Sequence, residues 1–169
     1  MRNAININID RKKKILIFVI LIAFVIGSTV FILRNSLMDH ASSHSTSGVI
    51  TEIVTDTEDE EEWGRVDLIV RKFAHIIEYA FLGACIAAFC TFLDCIYSKR
   101  LYGYFIAYSL FIAVLDEHFQ GLSDRASSTS DILLDFVGSL FGFAFIIVLF
   151  SIILYLIKKK KSKMLNRLD

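Results

Sequence analysis

The sequence predicts an all-α integral membrane protein, a four-helix transmembrane bundle with both termini in the cytoplasm. The chain has 169 residues, of which 55% are hydrophobic, and its mean hydropathy is +0.58. A soluble domain of this length has too little interior to bury so much apolar surface. The apolar residues form four long runs, and the basic residues are concentrated beside alternate ends of these runs. Together these observations predict a multi-pass protein of the cell membrane.

The first predicted span covers residues 15–33, which contain no charged side chain. About 20 such residues suffice to cross about 30 Å of hydrocarbon. The run is longer than the apolar region of a secretory signal peptide and no A-x-A site follows it, so we expect an uncleaved span. Three further runs predict spans at 71–93, 101–119 and 131–157. A membrane domain is therefore predicted at 15–157.

The distribution of lysine and arginine predicts the orientation. Thirteen of the 18 lie in the N-terminal segment 1–14, in the turn at 99–100 or in the tail 158–169. Because basic loops stay in the cytoplasm, this places both termini inside. The connection 34–70 instead contains an acidic run at 58–62 and is predicted to be a solvated outer loop.

Polar and ionisable side chains gather at the predicted outer ends of spans two, three and four. Ionised groups at the bilayer centre cost about 2.5–3.5 kcal/mol each, and less near the interface, so such residues must pair or line a wet cavity. We expect their opposite charges to come close to balancing. The candidate ligand-binding residues are Arg71, Lys72, His75, Glu78, Asp116, Glu117, Gln120, Arg125, Asp131 and Asp135.

Two interpretations of this cluster compete. In the structural one, the side chains form ion pairs and hydrogen bonds that hold the helices together. In the functional one, they line an externally open pocket for a charged head group. Gly138 and Gly142 already offer a close-contact face, within the bundle or between copies of the chain. Because the polar residues are also concentrated on one side of the membrane, we favour the binding site.

The sequence gives only weak signals for catalysis and metal binding. No G-x-S-x-G motif is present, and Ser128 or Ser130 suits a helix cap better than a nucleophile. His75 and the carboxylates are metal-ligand types, but no H-x-x-E-H or H-E-x-x-H pattern occurs and the basic neighbours oppose a cation. We therefore predict no metal and no cofactor. If the chain is an enzyme, its candidate catalytic residues are His75, Tyr79, Asp116 and Glu117.

At these positions the sequence resembles the VanZ-like family of bacterial membrane proteins. The first block is an Arg-Lys-x-x-His-x-x-x-Tyr-x-x-Leu-Gly pattern from Arg71 to Gly83, and the second is Asp116-Glu117-x-x-Gln120. Further matches are Arg125, Ser128, Asp131, Asp135, Gly138 and Gly142. One departure is Asp124, where family members often have glycine. The resemblance implies a cell-envelope protein that influences susceptibility to glycopeptide antibiotics such as teicoplanin.

Three functional hypotheses follow. The first is binding of a membrane lipid head group or a lipid-linked envelope precursor, with Arg71, Lys72 and Arg125 taking phosphate or carboxylate. The acidic residues would hold these cations in place or engage a ligand amine, and no nucleic acid is expected as a partner. The second is an enzyme acting on a lipid-linked or cell-wall substrate. The third, an ion-coupled transporter, is disfavoured because the inner halves of the spans contain almost no ionisable residues.

Overall fold

The structure is all-helical, as the sequence predicts. The computed structural model describes residues 10–37, 48, 51–53, 55, 59–99, 101–122 and 128–165, and none of these residues lies in a strand. Four long helices account for most of them: α1 (Arg11–Ser36), α2 (Glu60–Tyr97), α3 (Tyr102–Leu122) and α4 (Thr129–Leu165).

Three of these helices, α1, α2 and α4, are long and apolar enough to cross a membrane. At about 1.5 Å per residue, the 26 residues of α1 extend about 39 Å, which exceeds the thickness of the hydrocarbon core. Helix α3 has 21 residues and extends about 32 Å. It is not among the candidate spans, because Asp116, Glu117 and several tyrosines lower its hydropathy.

Helix α2 begins eleven residues before the predicted second span, so residues 60–70 of the predicted outer loop are helical. Asp59 caps the helix, since its Oδ1 accepts a hydrogen bond from the Glu61 N–H at 3.0 Å. The acidic residues 60–62 occupy the first turn, where negative charge is favourable beside the N-terminal end of the helix dipole. The acidic run therefore starts a helix.

Helix α2 is the central element of the bundle. Half of its most apolar stretch is buried, against 11% for α1 and 6% for α4. Small residues let α4 approach it closely: a Cβ on Gly138 would lie 2.8 Å from the Ile76 carbonyl oxygen, and a Cβ on Gly142 would collide with the Ala80 backbone. Gly83 of α2 likewise packs on the Ser139 backbone. Of the two uses predicted for Gly138 and Gly142, the structure shows the contact within the bundle.

The apolar core lies where α2 and α3 meet α1 and α4. It contains Ile32, Leu82, Ile86 and Ile112, which are at most 6% exposed. The core ends one turn beyond Ile112, where the polar residues of α3 begin. The Asp116 and Glu117 side chains that follow the core are buried against protein.

Candidate functional site

One histidine and two aspartates from three different helices converge in the bundle. His75 of α2, Asp116 of α3 and Asp135 of α4 each offer one ligand atom, and these atoms all lie within 4.8 Å of one another. Asp116 is fully buried and Asp135 is 3% exposed, whereas the His75 side chain is 21% exposed. We call these three residues the triad.

The Asp116 carboxylate is the centre of this group. Its Oδ2 lies 3.7 Å from His75 Nδ1 and accepts a hydrogen bond from Gln120 Nε2 at 3.1 Å. The fully buried Tyr79 lies beside Asp116 and Asp135. The i, i+4 spacing of Asp116 and Gln120 explains why one turn of α3 supplies both side chains.

A second set of contacts joins the beginning of α4 to α2 and α3. Lys72 Nζ lies 2.6 Å from Asp131 Oδ1, and Glu117 accepts a hydrogen bond from the Ser128 backbone N–H. The Ser128 hydroxyl accepts from the Ser130 N–H at 3.2 Å, so Ser128 is the helix cap. These contacts hold the first turn of α4 against α2 and α3.

Arg71 is paired within its own helix. Its Nε lies 3.3 Å from Oδ2 of the fully buried Asp67, and Thr51 also donates to Asp67, at 3.4 Å. Arg71 therefore forms an ion pair with Asp67, a residue that was not predicted to belong to the site. Arg125, predicted to bind the same ligand group, lies outside the described residues.

Glu78 lies on the side of α2 that faces α1, where its Oε1 accepts a hydrogen bond from Asn35 Nδ2 at 3.0 Å. It also lines a groove between α1 and α2 with a volume of about 720 Å³. Apart from Ser28 and Glu78, the lining is apolar or glycine. The lining residues are Ile20, Ala23, Phe24, Gly27, Ser28, Phe31, Ile32, Ile77, Glu78 and Phe81.

The comparison with protein families agrees with the resemblance found in the sequence. The model of the VanZ/LLP1 family matches residues 14–156. The chain belongs to this family. No curated protein and no solved structure gives a significant match to it.

Two of the three basic candidates of this VanZ/LLP1 member form ion pairs within the described residues, and the third, Arg125, lies outside them. Within the described residues, Arg71 is paired with Asp67 and Lys72 with Asp131. No ion pair formed by a lysine or an arginine among the described residues includes any of the other candidate carboxylates. The remaining carboxylates are Glu78, Asp116, Glu117 and Asp135. The expected balance counted Arg71 as a partner for these residues, whereas the structure pairs Arg71 with Asp67.

Asp67 and Asn35 contact site residues in the structure, but neither was predicted from the sequence. Asp67 lies four residues before Arg71, a spacing that favours an ion pair on one helix face, but the predicted span began at residue 71. Asn35 has no comparable signal, because its contact with Glu78 depends on how α1 crosses α2.

Proposed function

We propose that this VanZ/LLP1 member binds a membrane lipid or a lipid-linked envelope precursor. The acyl chain lies in the groove between α1 and α2, and the head group lies against the polar side chains at the ends of α2, α3 and α4. The position of Glu78 carries this proposal, since it lines the apolar groove and is hydrogen-bonded at the same end of the bundle as the polar residues.

The groove suits an acyl chain better than a soluble ligand. Its volume falls within the range of about 300–1,000 Å³ that is usual for ligand pockets. Phe24 and Phe31 of α1 are both more than half exposed, and in a candidate membrane span such side chains face lipid. A lipid tail can therefore enter from the side without crossing water.

The predicted orientation of the bundle supports a position of the head group in the outer leaflet. We infer that α3 also crosses the membrane, because the buried carboxylates Asp116 and Glu117 face protein and not lipid. Four spans then put both basic termini in the cytoplasm, as the distribution of lysine and arginine predicts. Lys72, whose side chain is 41% exposed, supports binding of a head-group phosphate. Glu117 and Asp135, which form no ion pair with lysine or arginine among the described residues, support binding of an amine.

The proposal connects this chain to glycopeptide susceptibility. Teicoplanin-type antibiotics carry a lipid tail and act at the outer surface of the membrane. A protein that binds a lipid or precursor in the outer leaflet alters the surface into which such a drug inserts. We therefore expect expression of the chain to change teicoplanin susceptibility.

Filling the groove tests the proposal. A Cβ on Gly27 meets nothing within 4 Å, so Gly27→Leu places a side chain in the groove without displacing the backbone. Gly103, in the first turn of α3, is equally open and lies outside the groove, so Gly103→Leu is the matched control. Lipid that co-purifies with each variant is measured by mass spectrometry, and teicoplanin susceptibility is measured in cells expressing equal amounts of protein.

We expect Gly27→Leu to lose most of the co-purified lipid and the effect on susceptibility, and Gly103→Leu to retain both. If Gly27→Leu carries as much lipid as Gly103→Leu, the groove is not the lipid site. If both variants change susceptibility equally, the groove does not mediate the effect on the drug.

A membrane enzyme is the second candidate, and the convergence of His75, Asp116 and Tyr79 favours it. A base, an acid and a phenol within one buried group are the components of general acid–base catalysis. Turnover of candidate lipids by the purified chain, abolished by His75→Gln, would support this function. A turnover rate that His75→Gln does not change would exclude the triad as its source.

A further inference from the structure

The triad has the composition of a metal site. Imidazole nitrogen and carboxylate oxygen are both ligands of Zn²⁺, and three protein ligands with one open position are typical of catalytic zinc sites. The ligand atoms of His75, Asp116 and Asp135 already lie within 4.8 Å of one another. Around a zinc ion at about 2.0–2.2 Å from each ligand they would lie about 3.4 Å apart. Small side-chain rotations would close this difference.

Two observations besides the composition point to a bound cation. The Oδ1 atom of the fully buried Asp116 has no hydrogen-bond partner within the part of the chain that the structure describes. Asp135 is 3% exposed, and none of the ion pairs among the described residues includes it. A buried carboxylate without a compensating charge is strongly destabilising.

Among the described residues, the two basic side chains nearest the triad are paired with other carboxylates. The sequence analysis disfavoured a metal because Arg71 and Lys72 lie near the acidic residues, but the structure pairs them with Asp67 and Asp131. The triad contains two aspartates, and a divalent cation matches their combined negative charge. The hydrogen bond from Gln120 to Asp116 resembles the outer-shell contacts that orient metal ligands.

We propose that His75, Asp116 and Asp135 bind one divalent transition-metal ion of the Zn²⁺ type. The partial exposure of the His75 side chain leaves the ion accessible to an exogenous ligand. The proposal is independent of lipid binding, since none of the three residues lines the groove between α1 and α2.

The test measures zinc bound to the full chain. The protein carries a purification tag without histidine, is stripped of metal with a chelator and of lipid with detergent, and is then titrated with ZnCl₂. Bound zinc is determined by mass spectrometry after desalting. We expect one zinc per chain for the wild type and a loss of most of it for Asp135→Asn and His75→Gln.

Two further variants separate a metal site from general negative charge. Asp131→Asn removes a carboxylate that is one turn from Asp135 but is paired with Lys72, and we expect it to retain the zinc. Gln120→Leu removes the contact that orients Asp116, and we expect affinity to fall by about 10- to 100-fold with the stoichiometry unchanged at saturating zinc. Circular dichroism and size-exclusion elution establish that each variant is folded. His75→Gln keeps the test decisive if Asp135→Asn does not fold, because His75 is partly exposed.

The proposal is overturned if the folded wild type binds no zinc. It is also overturned if His75→Gln or Asp135→Asn binds as much zinc as Asp131→Asn. Its failure is distinguishable from failure of the proposed function: a Gly27→Leu variant without lipid but with zinc contradicts only lipid binding, and a zinc-free wild type that carries lipid contradicts only the metal site.

Discussion

Replacement of Gly142 by alanine tests the contact between α2 and α4 that brings the triad together. A Cβ at Gly142 would lie 2.6 Å from the carbonyl carbon of Ala80 and 2.9 Å from its Cα. Ordinary carbon contacts lie at about 3.5–4.0 Å, and the Ala80 carbonyl oxygen lies closer still to this Cβ, so the two helices must separate by more than about 1 Å at this point. All three obstructing atoms belong to helical backbone, which no side-chain rotation can relieve.

The expected cost follows from two opposing contributions. Overpacking of a close contact typically costs about 1–3 kcal/mol. Alanine recovers up to about 1 kcal/mol relative to glycine through its helix propensity. We therefore expect Gly142→Ala to lower the free energy of unfolding by up to about 2 kcal/mol. The matched control is Gly27→Ala in α1, where a Cβ meets nothing within 4 Å; there we expect no loss and up to about 1 kcal/mol of gain.

The assay is unfolding of both variants and the wild type in mixed micelles of a mild detergent and dodecyl sulfate, followed by circular dichroism. We expect the two variants to differ by about 1–3 kcal/mol, with Gly142→Ala the less stable. Equal stability would mean that α4 does not approach the α2 backbone closely at Ala80. It would also remove the basis for placing Asp135 beside His75, since the same contact positions both residues.

Two further predictions concern charge and topology. Lys72 and Asp131 are 41% and 27% exposed, so their pairing energy in a double-mutant cycle of unfolding should be about 0.2–1 kcal/mol, and a value well above this range would contradict a partly solvated pair. Topology is tested with single cysteines in a chain without its native cysteines and a membrane-impermeant thiol reagent added to intact cells. Glu52→Cys should react with the reagent, whereas Lys99→Cys and Ser162→Cys should be protected. Labelling of only one of the two protected positions would show that α3 does not cross the membrane.

The sequence predicted the helices well because the length of an apolar run and the helical period are local properties. Lys72, His75 and Tyr79 recur at helical spacing, and the structure places His75 and Tyr79 beside the aspartates of α3 and α4. The predicted span, however, began at residue 71, although residues 68–70 are also apolar. Residues 60–67 include five charged side chains, and the helix begins at the cap of Asp59, which a search for apolar runs does not detect.

Pairing between helices could not be predicted in the same way. Glu78 lies three residues from His75 on α2, yet it contacts Asn35 of α1 while His75 contacts Asp116 of α3. Which helix lies beside each face depends on crossing angles, and these are set by packing of residues such as Gly138 against Ile76. A count of charges within one layer therefore did not predict that Arg71 pairs with Asp67.

Helix α2 packs closely against α4 but leaves an open groove towards α1. Towards α4, backbone meets backbone at Gly83, Gly138 and Gly142, which leaves no room for a ligand and holds the triad in place. Towards α1, the helices leave the open groove. Since His75 and Glu78 are three residues apart on α2, the triad and the groove lie on neighbouring faces of one helix. The two proposals can therefore be tested by separate substitutions, Gly27→Leu in the groove and His75→Gln in the triad.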